Sequence, residues 1–155
     1  MLPSAAKALS AGRDSGLDPS AAAAPWDATR AAAAAGASLL LSVTKANALE
    51  VVAALPSGGF AALRAALLAH PDKVLYGAFP YTSRGLQRFA FFTCVGAGVG
   101  GMARGRVALQ KGGAAKALEG CAGELFWPGG AEEATAGAAA EALGALPGGG
   151  EVVVL

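Results

Sequence analysis

Few residues in this sequence have a type and spacing that could do chemistry. Gly96-x-Gly98-x-x-Gly101 follows an aromatic, apolar run and matches the dinucleotide fingerprint, in which a glycine-rich turn lets backbone amides approach a pyrophosphate. Glu119 lies near the distance expected of a ribose ligand. With 23 glycines among 155 residues, such a match is within the reach of chance. The context also argues against a nucleotide-binding protein: the preceding run belongs to a predicted hairpin, Glu119 falls inside a predicted helix, and too few residues follow for further βαβ units. His70 is the only histidine and has no cysteine or histidine at zinc spacing. Cys94 and Cys121 stand apart, with no disulfide framework around them, and no G-x-S-x-G nucleophile turn occurs. Neither an enzyme, a metal nor a cofactor is expected.

The residues that stand out are cations. The formal net charge of +1 hides a partition: residues 1–72 hold five basic and five acidic groups, residues 73–118 seven basic and none acidic, and residues 119–155 six acidic and none basic. A block of one sign attracts a partner of the other, such as an acidic protein surface, phosphoinositide headgroups or nucleic acid. Nucleic acid is disfavoured because the total charge is near neutral, the last third is acidic and no reading motif is present. Tyr76, Phe79, Tyr81, Phe89, Phe91 and Phe92 could serve as stacking platforms, but their apolar neighbours mark them as core.

The elements that must position these cations follow from hydrophobic pattern and punctuation. Alanine occupies 41 positions, so bulky apolar residues are scarce enough that their placement is informative. The segment 19–35 reads as a helix stopped by Gly36. Residues 38–45 and 49–54 read as a hairpin turning near Asn47, and 60–70 as a helix closed by Pro71. Residues 73–82 and 86–95 are the two richest aromatic runs and read as a second hairpin. Within it, Pro80 marks a place where no ladder bond is required. A helix is expected from about Gln110 to Gly123, a short strand at 125–127, and a last helix over 132–146 with Glu132 and Glu133 in its first turn. The order predicts an α+β, mixed α/β sandwich around a largely antiparallel sheet.

The longest uncharged stretch, 89–103, is shorter than the about 20 apolar residues needed to cross a bilayer, and the first residues lack a secretory apolar core. Residues 1–18 read as a flexible N-terminal tail, 19–146 as one domain and 147–155 as a C-terminal tail. A cytoplasmic monomer is expected.

Over residues 72–118 the sequence resembles coactosin-like members of the ADF/cofilin-homology family of actin-binding proteins. The resemblance is carried by the aromatic strand, the short turn, a basic residue directly before Phe89-Ala90, the loop Gly96-x-x-Val99-x-Gly101, and the basic run Arg104, Arg106, Lys111 leading into the longest helix. It implies a five-stranded mostly antiparallel mixed sheet flanked by helices on both faces, a cytoskeletal location, and actin as partner, filaments before monomers. It also implies two contact regions: the hairpin tip with the C-terminal region, and the start of the long helix. Carried over residue by residue, the candidates are Arg84 and Arg88 at the hairpin and Arg104, Arg106, Lys111 and Lys116 at the helix, expected to converge on one docking patch.

The hairpin is shorter than the family's and less densely basic, which leaves open a diverged adaptor that keeps the fold without binding actin. Gly112 and Gly113, each costing about 1 kcal/mol in a helix interior, are expected to delay the long helix until after Gly113 and leave Lys111 in the loop.

Overall fold

The aromatic runs on either side of Arg84-Gly85 form the two longest strands, β4 (Val74–Ser83) and β5 (Leu86–Val95), paired antiparallel from Val74 with Val95 to Ser83 with Leu86. The structure, a computed structural model, describes Lys7, Ala8 and residues 16–155. The other elements are β1 (Lys7–Ala8), α1 (Ala23–Ala31), β2 (Ser38–Val43), β3 (Leu49–Leu55), α2 (Gly59–Leu68), α3 (Gly101–Ala117), β6 (Gly123–Trp127), α4 (Ala136–Gly144) and β7 (Val152–Val154).

They form a single mixed sheet in the order β1-β6-β5-β4-β2-β3, with β7 on β4 beyond the end of β2. Strands β5 and β6 run parallel, joined by α3, and every other strand pairing is antiparallel. Strands β2 to β6 are the expected five, and the short β1 and β7 extend them. Along the β4 edge away from β5, β2 covers residues 76–78 and β7 covers 81–83. Pro80 falls in the gap between them, where its missing N–H costs no ladder bond.

Alternation along the strands divides the core between two faces. On one face Leu75, Phe79, Tyr81, Phe92 and Trp127 meet Phe60, Leu63 and Leu67 of α2 and Leu143 of α4. On the other, Tyr76, Phe89 and Phe91 meet Trp26 of α1 and Ala114 and Leu118 of α3. Trp26 stands edge-on to Phe89 at 5.1 Å, and its Nε1–H donates to the carbonyl of Glu119 at 3.1 Å.

Four sequence expectations need correction. The long helix begins at Gly101, and Gly112 and Gly113 lie buried within it. Docking Val107, Ala114, Ala115 and Leu118 on the sheet outweighs the weak helix propensity of the two glycines. The last helix is split: Glu132 and Glu133 belong to a 3-10 turn, Ala131–Glu133, and α4 starts after Thr135, whose hydroxyl accepts from the N–H of Ala138 at 3.1 Å. The 147–155 segment is part of the sheet, because Val152 and Val154 pack on the core as β7. Much of the 1–18 tail lies outside the described residues, but Leu17 is buried and Asp18 exchanges backbone bonds with Asn47 and Leu49, so the fold begins before residue 19.

Candidate functional site

The β4–β5 hairpin closes in the tightest available turn. Arg84 and Gly85 are its two central residues, both at positive φ (53° and 76°), as a type I′ connection requires. The N–H of Arg84 donates to the carbonyl of Glu151 at 3.1 Å, and the Ser83 hydroxyl donates to the carbonyl of Gly149. Residues 149–154 therefore brace the tip from one side. Arg84 and Arg88 are exposed and form no ion pair among the described residues.

Arg88 pairs in register with Tyr81, whose side chain belongs to the face covered by α2 and α4. The two residues line a cleft of about 220 Å³ with Leu143, Leu146 and Gly149. Burial pushes the Tyr81 hydroxyl above its ordinary pKa, against the opposing pull of the Arg88 charge.

The start of α3 lies at the other end of the sheet. From Arg88 to Val95, after which the chain enters the loop to α3, is seven residues, or about 24 Å at roughly 3.4 Å per residue. Helix α3 also packs on the opposite face from Arg88. The expectation of one converged patch is therefore wrong for Arg104 and Arg106, which lie at the far end of the sheet from the hairpin; α3 runs back antiparallel to β5, so Lys116 in its last turn returns towards the hairpin end, on the opposite face from Arg88.

Along α3 the cations divide again. Arg104 is held by three carbonyls, donating from Nε to Val99 at 3.1 Å, from Nη1 to Pro128 at 3.0 Å and from Nη2 to Gly96 at 3.3 Å. Lys111 is in the helix, and its Nζ lies 2.8 Å from the carboxylate of Glu124, which is 4% exposed. Lys116 is exposed in the last turn, where a cation complements the helix dipole. Arg106 is exposed and lines a second cleft, of about 230 Å³, with Lys45, Lys73, Glu50 and Asp72. The N-terminus of α3 has neither a side-chain cap nor an acidic residue in its first turn, so the end of the helix dipole adds to this positive potential.

Two apolar residues of α3 project into solvent, Met102 (78% exposed) in its first turn and Leu109 (68% exposed) at mid-helix. Sequence reasoning missed them because it started the helix too late. Their seven-residue spacing, two helical turns, is the signal that would have found them.

The glycine-rich loop is not a phosphate cradle. The N–H groups of Gly96, Gly98 and Val99 donate to the carbonyls of Lys73, Pro71 and Gly96, which leaves none of these amides for a ligand. Strands β5 and β6 with α3 do form a βαβ unit, but Glu119 lies just after α3 and before β6, not at the end of the second strand.

No protein-family model and no curated protein matches this sequence. Among solved structures, the fold is similar to coactosin from Entamoeba histolytica, at 22% identity over 70% of this chain and 81% of that one, with a TM-score of 0.59. It is similar to human coactosin-like protein, at 16% identity over 77% and 89%, with a TM-score of 0.63. It is also similar to the cofilin homology domain of a yeast actin-binding protein, at 14% identity over 70% and 81%, with a TM-score of 0.56. The chain has the ADF/cofilin-homology fold.

Proposed function

We propose that this protein is a non-enzymatic actin-binding protein of the coactosin type, docking on filaments through the hairpin tip at Arg84 and Arg88, with the start of α3 at Arg106 as a second, separate contact. The observation that carries this reading is the pair of exposed arginines, without ion pairs among the described residues, at a tip braced by β7, on a fold shared with coactosin and with a domain of an actin-binding protein. Actin surfaces are acidic, and a basic tip raises the rate of encounter. Arginine suits the contact because its planar fork donates two parallel hydrogen bonds to a carboxylate. Two basic sites at opposite ends of the sheet favour a filament, which offers neighbouring subunits, over a monomer.

The test is co-sedimentation with purified filaments. Arg88→Glu is expected to weaken pelleting at least tenfold with an unchanged circular dichroism spectrum, and wild-type pelleting is expected to weaken as salt rises. Pelleting of Arg88→Glu at the wild-type level would remove Arg88 from the contact. The two-residue turn, shorter than the family's hairpin, favours a second reading, an adaptor without actin affinity. Absence of wild-type pelleting even at low salt would select it.

A further inference from the structure

We infer that the cleft between the β2–β3 turn, the start of β4 and the flank of α3 binds a small soluble phosphate monoester of a polyhydroxyl compound, the class of a sugar phosphate. The site shares Arg106 with the second filament contact proposed above but does not depend on it. Its test uses no filaments, so either reading can fail alone.

Cations reach this cleft from three elements: Lys45 from the β2–β3 turn, Lys73 from the residue before β4, and Arg106 from the second turn of α3. Among the described residues, none of these side chains has an ion pair or a hydrogen bond. Like charges so placed repel one another, and an anion between them relieves the repulsion. A phosphate carries about −1.5 to −2 charge at pH 7, more than a single carboxylate, and a guanidinium fork with ammonium groups beside it suits its oxygens. Gln110, one turn after Arg106 on the same side of α3, adds a directed donor. Burial raises the pKa of the Tyr76 hydroxyl and so keeps its proton, which it donates to Gln110 Oε1 at 3.2 Å. With its oxygen held in this way, the amide presents its NH₂ to the cleft, where it has no partner among the described residues.

The carboxylates in the lining, Glu50 and Asp72, set the rest of the ligand. Glu50 is held by Ser42, whose hydroxyl donates to its Oε1 at 2.9 Å, which leaves Oε2 for a ligand. Ionised carboxylates only accept, so the body of the ligand must bring hydroxyl donors. They also repel a continuous anionic surface such as a bilayer or a nucleic acid. The volume of about 230 Å³ falls just below the roughly 300–1,000 Å³ typical of small-molecule sites, which fits a sugar phosphate and excludes a dinucleotide.

The experiment titrates isotope-labelled protein with glucose 6-phosphate and follows backbone amide shifts by NMR, with inorganic phosphate and glucose as separate arms. Glucose 6-phosphate is expected to bind with a Kd below about 1 mM and to move amides within 42–45, 72–74 and 103–110. Inorganic phosphate is expected to move the same amides with at least fivefold weaker affinity, and glucose to move none. Gln110→Glu, which keeps an acceptor for Tyr76 and replaces the donor by a negative charge, and Arg106→Met are each expected to weaken binding at least tenfold, with thermal melts confirming folding. Glu50→Gln is expected to weaken glucose 6-phosphate without weakening inorganic phosphate. Should Gln110→Glu not fold, Arg106→Met decides alone. No shift at ten times the expected Kd, shifts centred elsewhere, or wild-type binding by the folded variants overturns the site. Equal affinity for inorganic phosphate and glucose 6-phosphate overturns the polyhydroxyl class, and co-sedimentation with phosphoinositide vesicles without any response to glucose 6-phosphate overturns a soluble ligand.

Discussion

Arg104 is the residue on which sequence and structure disagree most directly, and Arg104→Met separates the two. The sequence places it in the actin contact. The structure has its guanidinium joining the loop after β5 to the end of β6 through three carbonyls, at Gly96, Val99 and Pro128. Hydrogen bonds from a charged donor contribute about 1.5–3 kcal/mol each. The Pro128 bond is exposed and the Gly96 bond is long at 3.3 Å, so both count for less, and the set is worth about 3 kcal/mol. For a protein of this size each kcal/mol moves Tm by about 2–4 °C, so Arg104→Met is expected to melt about 6–12 °C below wild type. Arg106→Met is the matched control, since Arg106 has no ion pair among the described residues and a surface change of that kind stays within about 0.5 kcal/mol. Differential scanning calorimetry measures both variants, and pelleting below the lower Tm measures their affinity. A wild-type Tm for Arg104→Met would refute this bridging role, and a loss of pelleting larger than that of Arg106→Met at that unchanged Tm would return Arg104 to the proposed contact.

Two further outcomes are expected. Gly77 sits where β4 crosses β2, and a Cβ there would lie 2.1 Å from the carbonyl oxygen of Leu39 and 2.7 Å from the ring of Phe92. Gly77→Ala must shift backbone in the centre of the sheet and is expected to lower stability by more than about 3 kcal/mol in urea melts; a change below about 1 kcal/mol would mean that the strands do not approach so closely. Burial pushes both the Cys94 and Cys121 thiols up to about 12 from an ordinary value near 9, and it also raises Tyr76. Since the folded state keeps protons that the unfolded chain sheds, stability is full below pH 9 and falls as pH rises from about 9 towards 12. Urea midpoints across that range measure the decline, and a flat profile, or fast native thiol labelling at pH 8, would contradict it.

The parts of the fold legible in the sequence are those with strong periodicity or a hard stop. The two hairpins, the turn at Asn47, the helix ended before Pro71 and the oddity of Pro80 can all be read from residue type, because each depends on local backbone chemistry. The long helix cannot, because its glycines are tolerated only through burial against the sheet, a tertiary effect that no local propensity carries. The short run Val152–Val154 has the composition of a strand but no partner in sequence. Its pairing with residues 81–83 depends on α4 returning the chain to the hairpin. The candidate site is legible to the same degree. The charge block marks where the cations lie, but which of them are already engaged within the fold depends on where carbonyls and Glu124 fall in space.

That distribution explains why a block of seven cations yields two small sites and not one broad basic face. Arg104 is bound to carbonyls and Lys111 to Glu124, while the rest of the block is spread along a sheet whose strands reverse. In a hairpin, residues at the turn and residues at the open end are separated by the full strand length, so Arg84 and Arg88 go to one end while Lys73 and the start of α3 go to the other. Alternation across the pleat then puts Arg88 on the α4 face and α3 on the other. A partner with one flat acidic surface cannot touch both ends, but a polymer that presents two subunits around the edge of the molecule can. On the proposed reading, filament preference is thus tied to the length of β4 and β5, and the hairpin end, braced by β7, is where an oriented arginine would pair with a fixed carboxylate.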